Sequence, residues 1–204
     1  MSPSVELVAR FATVATCLSL LVAAVAVLIR EHTVKRPAPI ERDTGPLAIV
    51  NYAGILLFIL AGSVVAVTGF GTPPNPPAPL GDLLRATGVA VLAMAGLLAA
   101  WGILTMGRHL VSETEVRPDT ELVTAGPFGI VRHPMYLSVL MLWAGGMLAL
   151  LSWVLAVGLA LLTPAFYLRA RTEELLLGRH FPAYASYAER VPMLVPGLRR
   201  LSRR

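Results

Sequence analysis

Long apolar runs constrain this chain more than any other feature of its sequence. Residues 5–29, 46–70 and 83–106 are each long enough to cross a bilayer as a helix, which takes roughly 20 apolar residues. Hydrophobic residues make up 56% of the chain and charged residues only 14%, and the mean hydropathy is +0.71. These values exclude an ordinary soluble domain and predict a helical membrane protein.

A fourth apolar run, residues 135–168, is too long for a single span, since one helix of that length would reach about 51 Å. The candidate positions for a fold-back are Gly145, Gly146 and the Leu151-Ser152 pair, and the second arm is expected to bend near Pro164. The sequence therefore predicts an all-α polytopic membrane bundle of five transmembrane helices. Its last two helices form a short hairpin, and a cytoplasmic C-terminal helical segment follows.

The positive residues predict an orientation for this bundle. Nearly all of the 17 Lys and Arg residues fall in residues 30–42, 108–132 and 169–204, which five spans place on one side. The positive-inside rule makes that side cytoplasmic and puts the N-terminus outside. The basic tail "GLRRLSRR" is expected to lie against anionic headgroups, so the net charge of +5 does not indicate a nucleic-acid partner.

Polar residues that membrane insertion does not explain gather in two segments. The first, residues 108–136, contains "GPFGIVRHPMY" at the start of the fourth apolar run. Pro134 suits the first turn of a helix, Arg132 can snorkel, and Tyr136 fits the interfacial aromatic belt. These ordinary roles do not explain the glycine-rich turn just before them, where free N–H groups and a helix N-terminus could receive an anion.

The second polar segment, residues 169–192, carries the adjacent carboxylates Glu173 and Glu174. Each could pair with an arginine one turn earlier, Arg169 or Arg171, as an ordinary surface ion pair worth about 0.2 to 0.5 kcal/mol. Because adjacent side chains point about 100° apart on a helix, we expect one carboxylate to hold an arginine while the other faces a ligand. Three aromatic residues follow, for which headgroup anchoring is the alternative role: Phe181, Tyr184 and Tyr187.

These two motifs together, "LVTAGPFGIVRHPMY" and "RTEELLLGRHFPAYASYAERVP", resemble the isoprenylcysteine carboxyl methyltransferases and their bacterial relatives, which include phospholipid methyltransferases. The resemblance covers about residues 100–197. It implies an integral membrane enzyme that uses S-adenosylmethionine and contains no metal site. We treat residues 1–204 as one domain, in which residues 1–107 form three spans and residues 108–204 form the cofactor-binding loop, hairpin and C-terminal segment.

The resemblance also implies roles for individual residues. His133 and Tyr136 would contact the cofactor, and Glu174 would take its amino group. Arg171 and Glu173 would be the catalytic residues that face the reacting end. The remaining cofactor contacts would be the loop that wraps the cofactor with its backbone and the two tyrosines that close a lid: Leu122, Val123, Thr124, Gly126, Pro127, Tyr184 and Tyr187.

The expected reaction is methyl transfer to an amphiphilic acceptor embedded in the bilayer, with the carboxylate of an isoprenylcysteine-like molecule as the first expectation. The alternatives are N- or O-methylation of a phospholipid or another small lipid, an NADPH-dependent sterol-type reductase, and a non-catalytic scaffold. The reductases usually carry an Arg-Asp pair where this chain has "RTEE". The strong preference for Arg over Lys indicates a bacterial gene, so we expect a plasma-membrane location.

Overall fold

The computed structural model describes residues 3–33, 40–42, 49–74, 76–107, 115–116 and 121–196. In these ranges the two-residue strands β1 (Glu41–Arg42) and β2 (Glu115–Val116) pair antiparallel, and a 3₁₀ turn spans Gly126–Gly129. All other regular structure is helical, which confirms the predicted all-α bundle. The helices are α1 (Pro3–Thr33), α2 (Val50–Thr68), α3 (Leu80–Met106), α4 (Pro134–Leu150), α5 (Trp153–His180) and α6 (Tyr184–Arg190).

Five of these helices are strongly apolar. Four of them, α1, α2, α3 and α5, are long and apolar enough to cross a membrane, and α4 is a shorter apolar helix of 17 residues. The chain is therefore a multi-pass membrane protein. Residues 34–39, 108–114, 117–120 and 197–204, which carry many of the cations behind the predicted orientation and the whole basic tail, lie outside the described residues.

Helices α4 and α5 form the predicted hairpin, and the chain reverses at the second of the two candidate positions. Leu151 takes a left-handed conformation with φ of 51°, and Ser152 caps α5 by accepting a hydrogen bond from the N–H of Leu155. Gly145 and Gly146 instead lie inside α4. A glycine inside a helix costs only about 1 kcal/mol, so these two residues do not by themselves end it.

The second arm of the hairpin is longer than the predicted short helix. Helix α5 contains 28 residues and continues through Pro164 to His180. Its last ten residues, RTEELLLGRH, consist mainly of Arg, Glu and Leu, which favour helix. The helix ends at His180, two residues before the next proline, Pro182. The carboxylates Glu173 and Glu174 therefore belong to the same rigid helix as the apolar span.

Glycines allow α3 and α4 to pack with their backbones in contact. A Cβ atom added at Gly88 would overlap the backbone of Ala149, and one at Gly145 would lie 2.9 Å from the amide nitrogen of Leu92. Small residues of this kind are the usual way for membrane helices to approach closely, because van der Waals packing replaces the hydrophobic effect there. The register between α3 and α4 is therefore fixed.

A tryptophan ties α4 to the helices on its other side. The indole N–H of Trp143 donates a 3.0 Å hydrogen bond to the carbonyl of Gly54 in α2, and its ring meets Phe58 edge-on at 5.7 Å. Helix α4 thus contacts α1, α2, α3 and α5. Because every neighbour constrains α4, its first residues occupy a fixed position relative to α5.

The two ends of the bundle are defined here by the two termini of α4. Its N-terminus marks what we call the motif end, which contains Arg132 to Tyr136 and the C-terminal part of α5. Its C-terminus marks the opposite end, where Trp153 N–H donates to the carbonyl of Gly71 and α3 begins. Both polar motifs of the sequence lie at the motif end.

Candidate functional site

The start of α4 is held against the chain that follows α6. His133 is the residue just before α4, and Pro134 is its first residue, as predicted. The backbone N–H groups of Arg132 and His133 donate to the carbonyls of Pro192 and Met193 at 2.9 and 3.1 Å. The two polar motifs are therefore brought together by main-chain hydrogen bonds as well as by side chains.

Arg132 joins three elements at this end of the bundle. Its Nε and Nη2 atoms lie 2.7 and 2.6 Å from Oε1 of Glu174 in α5. Its Nη1 atom donates to the carbonyls of Ala188 and Val191, in α6 and at its C-terminal cap, at 2.7 and 2.6 Å. The side chain is only 7% exposed, so Arg132 does not snorkel to the headgroups.

His133 lies between the two adjacent glutamates. Its Nε2 atom is 3.4 Å from Oε1 of Glu174, and its Nδ1 atom is 3.5 Å from Oε2 of Glu173. The hydroxyl of Tyr136 donates to the same Glu173 oxygen at 2.6 Å, and the rings of His133 and Tyr136 stack in parallel at 5.3 Å. The two glutamates thus share His133, while Tyr136 binds Glu173 and Arg132 binds Glu174, so the 100° separation on the helix does not give each carboxylate a separate site.

The charge state of His133 follows from this position. Burial alone would lower its pKa, but hydrogen bonds and charge attraction from Glu173 and Glu174 outweigh that effect and raise the pKa to about 9. At neutral pH the imidazole is therefore protonated and both ring nitrogens donate. The motif end contains two carboxylates balanced by an imidazolium and a guanidinium, all largely removed from solvent.

Two polar atoms beside this cluster have capacity to spare. Oε1 of Glu174 takes the contacts from Arg132 and His133, whereas its Oε2 accepts no hydrogen bond from any described residue. The hydroxyl of Tyr184 is buried and also has no hydrogen-bond partner among the described residues. Burial raises the pKa of Tyr184, and the negative charge of Glu174 raises it further, so this hydroxyl stays protonated and can donate.

Tyr187 differs from Tyr184 in that its hydroxyl is used. It donates to the carbonyl of Phe128 in the 3₁₀ turn at 2.7 Å, and burial raises its pKa to about 12. The two tyrosine rings meet edge-on at 5.9 Å. Helix α6 is therefore anchored to the loop before α4 through Tyr187.

The predicted backbone loop lies between α3 and the 3₁₀ turn. Gly126 has φ of 57°, and a Cβ atom there would come within 2.7 Å of the Thr105 hydroxyl, so the position requires glycine. Within the described residues, the backbone N–H groups of residues 122–125 donate to no partner. The side chains of the loop differ in exposure: Leu122 and Val123 are half-buried, Thr124 is exposed and Pro127 is buried.

Two of the three arginines of α5, Arg169 and Arg171, lie on different faces of the helix. Arg169 is 1% exposed, and its charge acts on Glu173 one turn later, as in the ordinary pairing. Arg171 is exposed, with Nη1 3.4 Å from the hydroxyl of Tyr167, and is not part of the cluster. Glu174 pairs with Arg132 rather than with Arg171.

Sequence reasoning missed Arg132 as a member of the site. Its partners include main-chain carbonyls 56 and 59 residues later in the chain, which no residue pattern reveals. The one feature of the sequence that pointed to Arg132 was its position directly beside His133, but the sequence does not show whether its side chain is buried. The catalytic roles assigned to Arg171 and Glu173 and the cofactor roles of the other residues remain predictions.

Known proteins match this part of the chain. Residues 87–179 match the model of the isoprenylcysteine carboxyl methyltransferase (ICMT) family. Two bacterial relatives match over 86 residues, or 40% of the chain: the nickel-cobalt-cadmium resistance protein NccN of Alcaligenes xylosoxydans xylosoxydans, 40% identical, and the cobalt-zinc-cadmium resistance protein CzcN of Cupriavidus metallidurans, 41% identical. Protein-S-isoprenylcysteine O-methyltransferase B of Arabidopsis thaliana is 31% identical over 53% of the chain.

These matches cover 39%, 38% and 57% of the three relatives, so the chain spans well under two thirds of each. The family match includes α4, Arg132, His133 and both glutamates, and it ends before α6. The resemblance predicted from the two motifs is confirmed over this segment: residues 87–179 are similar to the ICMT family.

Proposed function

We propose that this protein is an integral membrane methyltransferase that uses S-adenosylmethionine to methylate an amphiphilic acceptor in the bilayer. The observation that carries the proposal is the Glu174 carboxylate. One of its oxygens is fixed by Arg132 and His133, and the other has no partner in the described part of the chain. A half-buried carboxylate held in this way, with one oxygen left to accept, suits the ammonium group of an amino-acid moiety.

The other groups at the motif end fit the remaining polar parts of this cofactor. The N–H groups of residues 122–125 could receive its carboxylate, and the unpaired hydroxyl of Tyr184 could hydrogen-bond its polar groups. Once bound, the cofactor supplies an electrophilic methyl group on a positively charged sulfur. The residues of the chain would bind, orient and exclude water, which is the main requirement of an in-line methyl transfer.

Two residues of α5 are proposed to act on the acceptor. A carboxylate acceptor needs no general base, and the exposed guanidinium of Arg171 could bind it through two hydrogen bonds. An amine acceptor would have to lose a proton, and Glu173 could accept that proton or pair with the amine. Arg171 is exposed on the outer surface of α5, which supports a contact with a substrate that arrives from the lipid.

For the acceptor we propose the carboxylate of an isoprenylcysteine-like molecule, supported by the family match and by the name of the plant relative. A phospholipid or another small lipid is the alternative, with methylation at nitrogen or oxygen. The proposed location is the plasma membrane of a bacterium, with the motif end on the cytoplasmic side, where the soluble cofactor is available, and the N-terminus outside.

The first experiment is calorimetric titration of the detergent-purified protein with S-adenosylhomocysteine. Wild type is expected to bind, and Glu174→Ala and His133→Ala are expected to lose binding. Glu189→Ala is the matched control, because Glu189 is an exposed carboxylate of the neighbouring helix α6. No binding by wild type, or undiminished binding by Glu174→Ala, would remove the proposal, and NADPH bound after purification would favour a reductase.

The second experiment identifies the acceptor. Membranes containing the protein are incubated with methyl-labelled S-adenosylmethionine, and the labelled lipids are treated with base. A base-labile label indicates a carboxyl ester, as the leading proposal predicts, whereas a label that resists base indicates an amine or an ether. Membranes containing the Glu174→Ala variant provide the background level.

A further inference from the structure

All three guanidinium nitrogens of Arg132 are engaged, and they serve two separate parts of the chain. Nε and Nη2 approach one oxygen of Glu174, while Nη1 donates to the carbonyls of Ala188 and Val191. The backbone N–H of the same residue donates to the carbonyl of Pro192. One residue therefore fixes both the Glu174 carboxylate and the segment from α6 to residue 192.

The chemistry of this site requires arginine rather than any cation. A guanidinium presents its donors in a rigid planar fork, so it can reach a carboxylate on one edge and carbonyls on the other. A lysine ammonium is a single point charge and could neutralise Glu174, but it could not also span to both carbonyls. The carbonyls of Ala188 and Val191 lie at the C-terminus of α6, where a cation is favourable.

The same contacts decide how Glu174 presents its other oxygen. With Oε1 held at 2.6 to 2.7 Å by two nitrogens of Arg132, the carboxylate cannot rotate freely, and Oε2 keeps one direction. Tyr184 is the first residue of α6, so the position of its unpaired hydroxyl depends on the segment that Arg132 holds. The segment after residue 179 lies outside the family match.

We propose that Arg132 is a positioning residue for cofactor binding. It fixes Glu174 and the segment of residues 184–192 in one arrangement, so that Oε2 of Glu174 and the hydroxyl of Tyr184 face the same ligand. Arg132 itself does not touch that ligand. This inference rests on the proposed function, because it assumes that the ligand is S-adenosylmethionine or its product.

The test is the Arg132→Lys variant, which keeps the positive charge beside Glu174 and removes the fork. We expect it to elute from size-exclusion chromatography like wild type and to bind S-adenosylhomocysteine on the order of 10- to 100-fold more weakly, as for loss of hydrogen bonds to a charged group. In turnover, the KM for S-adenosylmethionine should rise more than kcat falls. Trypsin should also cleave faster after Arg190, because the segment is no longer held.

Arg190→Lys is the matched control. Arg190 is exposed, its Nε donates only to the carbonyl of Ser186 in its own helix, and lysine preserves the tryptic site. This variant should bind and be cleaved like wild type. Any change in Arg132→Lys that also appears in Arg190→Lys would contradict a specific role for Arg132.

The possible results separate this inference from the proposed function. If wild type binds and Arg132→Lys binds equally well, the positioning role is wrong while the proposed function stands. Faster cleavage with unchanged affinity, or a variant that does not fold although its charge is kept, would make Arg132 a structural residue only. If wild type itself does not bind S-adenosylhomocysteine, the proposed function is wrong and this inference falls with it.

Discussion

The two ends of the helical bundle both contain arginines that bind main-chain carbonyls, but the surroundings of these arginines differ. At the opposite end, the buried Arg85 donates to the carbonyl of Ala149 near the C-terminus of α4 at 2.9 Å. Arg10, which is 32% exposed, donates to the carbonyl of Ala66 near the C-terminus of α2 at 2.7 Å and to the carboxylate of Glu6 in its own helix at 2.9 Å. Such cations satisfy carbonyls that a helix terminus leaves unpaired. At the motif end, Arg132 binds carbonyls and a carboxylate that also contacts an imidazolium.

This difference shows which feature of a buried polar cluster points to a ligand. Arginines at helix C-termini have a sufficient structural role, so burial of charge alone indicates nothing about function. An unpaired oxygen alone is also insufficient, since Oδ1 of Asp82 at the opposite end is buried without a partner among the described residues. The motif end is distinguished because Glu174, Tyr184 and His133 converge there from three elements.

The largest expected effect tests this distinction directly. Glu174→Gln removes the negative charge beside the free oxygen, and we expect the affinity for S-adenosylhomocysteine to fall on the order of 100-fold, since a buried charge loses its partner. Asp82→Asn makes the same chemical change at the opposite end and should leave the affinity within about twofold of wild type. Calorimetric titration measures both affinities. Equal losses of affinity in the two variants would show that the two ends do not differ in function.

The second prediction uses the pH dependence of His133. Because the pKa of His133 is raised to about 9 in the folded protein from 6.5, its charged form stabilises the fold. That contribution is complete below about pH 6.5 and is lost as the pH rises through 9. A single proton changes the free energy of unfolding by at most about 1.4 kcal/mol per pH unit.

Thermal unfolding of wild type and His133→Asn between pH 6 and pH 10 measures this contribution. The stability advantage of wild type over the variant should shrink steadily across the upper part of this range. A constant difference between the two proteins at all pH values would show that His133 does not titrate there. The opposite end contains no histidine among its described residues, so Arg85 variants should show the wild-type profile.

Much of the fold could be predicted from the sequence, because the length and composition of apolar runs decide the number of spans. The hairpin also followed from length alone, since residues 135–168 exceed the thickness of a bilayer. Length left two candidate positions for the turn, of which Leu151-Ser152 is the one used, and it did not predict the end of α5. The turn depends on a left-handed Leu151, which no propensity suggests, and α5 continues because its polar residues favour helix as much as the apolar ones.

The sequence predicted most residues of the candidate site but not the contacts between them. The two motifs indicated that His133, Tyr136, Glu173 and Glu174 act together, and the structure brings these four side chains into contact. The sequence could not show that Arg132 links them to the segment after α6, since that contact depends on main-chain carbonyls. The sequence also could not show that Arg171 lies outside the cluster, because the face of α5 that packs against the bundle is not known from the sequence.

The third prediction concerns stability at the opposite end. Arg85→Met leaves the carbonyl of Ala149 without its buried donor, and we expect the free energy of unfolding to fall by about 1 to 3 kcal/mol. The affinity for S-adenosylhomocysteine should stay unchanged, because α4 is still held by α2 and α5. Thermal unfolding in detergent and calorimetry check the two statements. A loss of affinity without a loss of stability would contradict the structural role of this end.

The smallest expected effect separates the two tyrosines of α6, Tyr184 and Tyr187, which share a helix, a ring contact and a buried position. Tyr184→Phe removes a hydroxyl that has no protein partner in the described part of the chain, so stability should not fall, while the affinity for S-adenosylhomocysteine should drop about 2- to 10-fold. Tyr187→Phe removes the hydrogen bond to Phe128 and should lower the free energy of unfolding by about 1 kcal/mol. If both variants lose stability but keep the wild-type affinity, the Tyr184 hydroxyl does not contact a ligand. The motif end would then differ from the opposite end only in its charges.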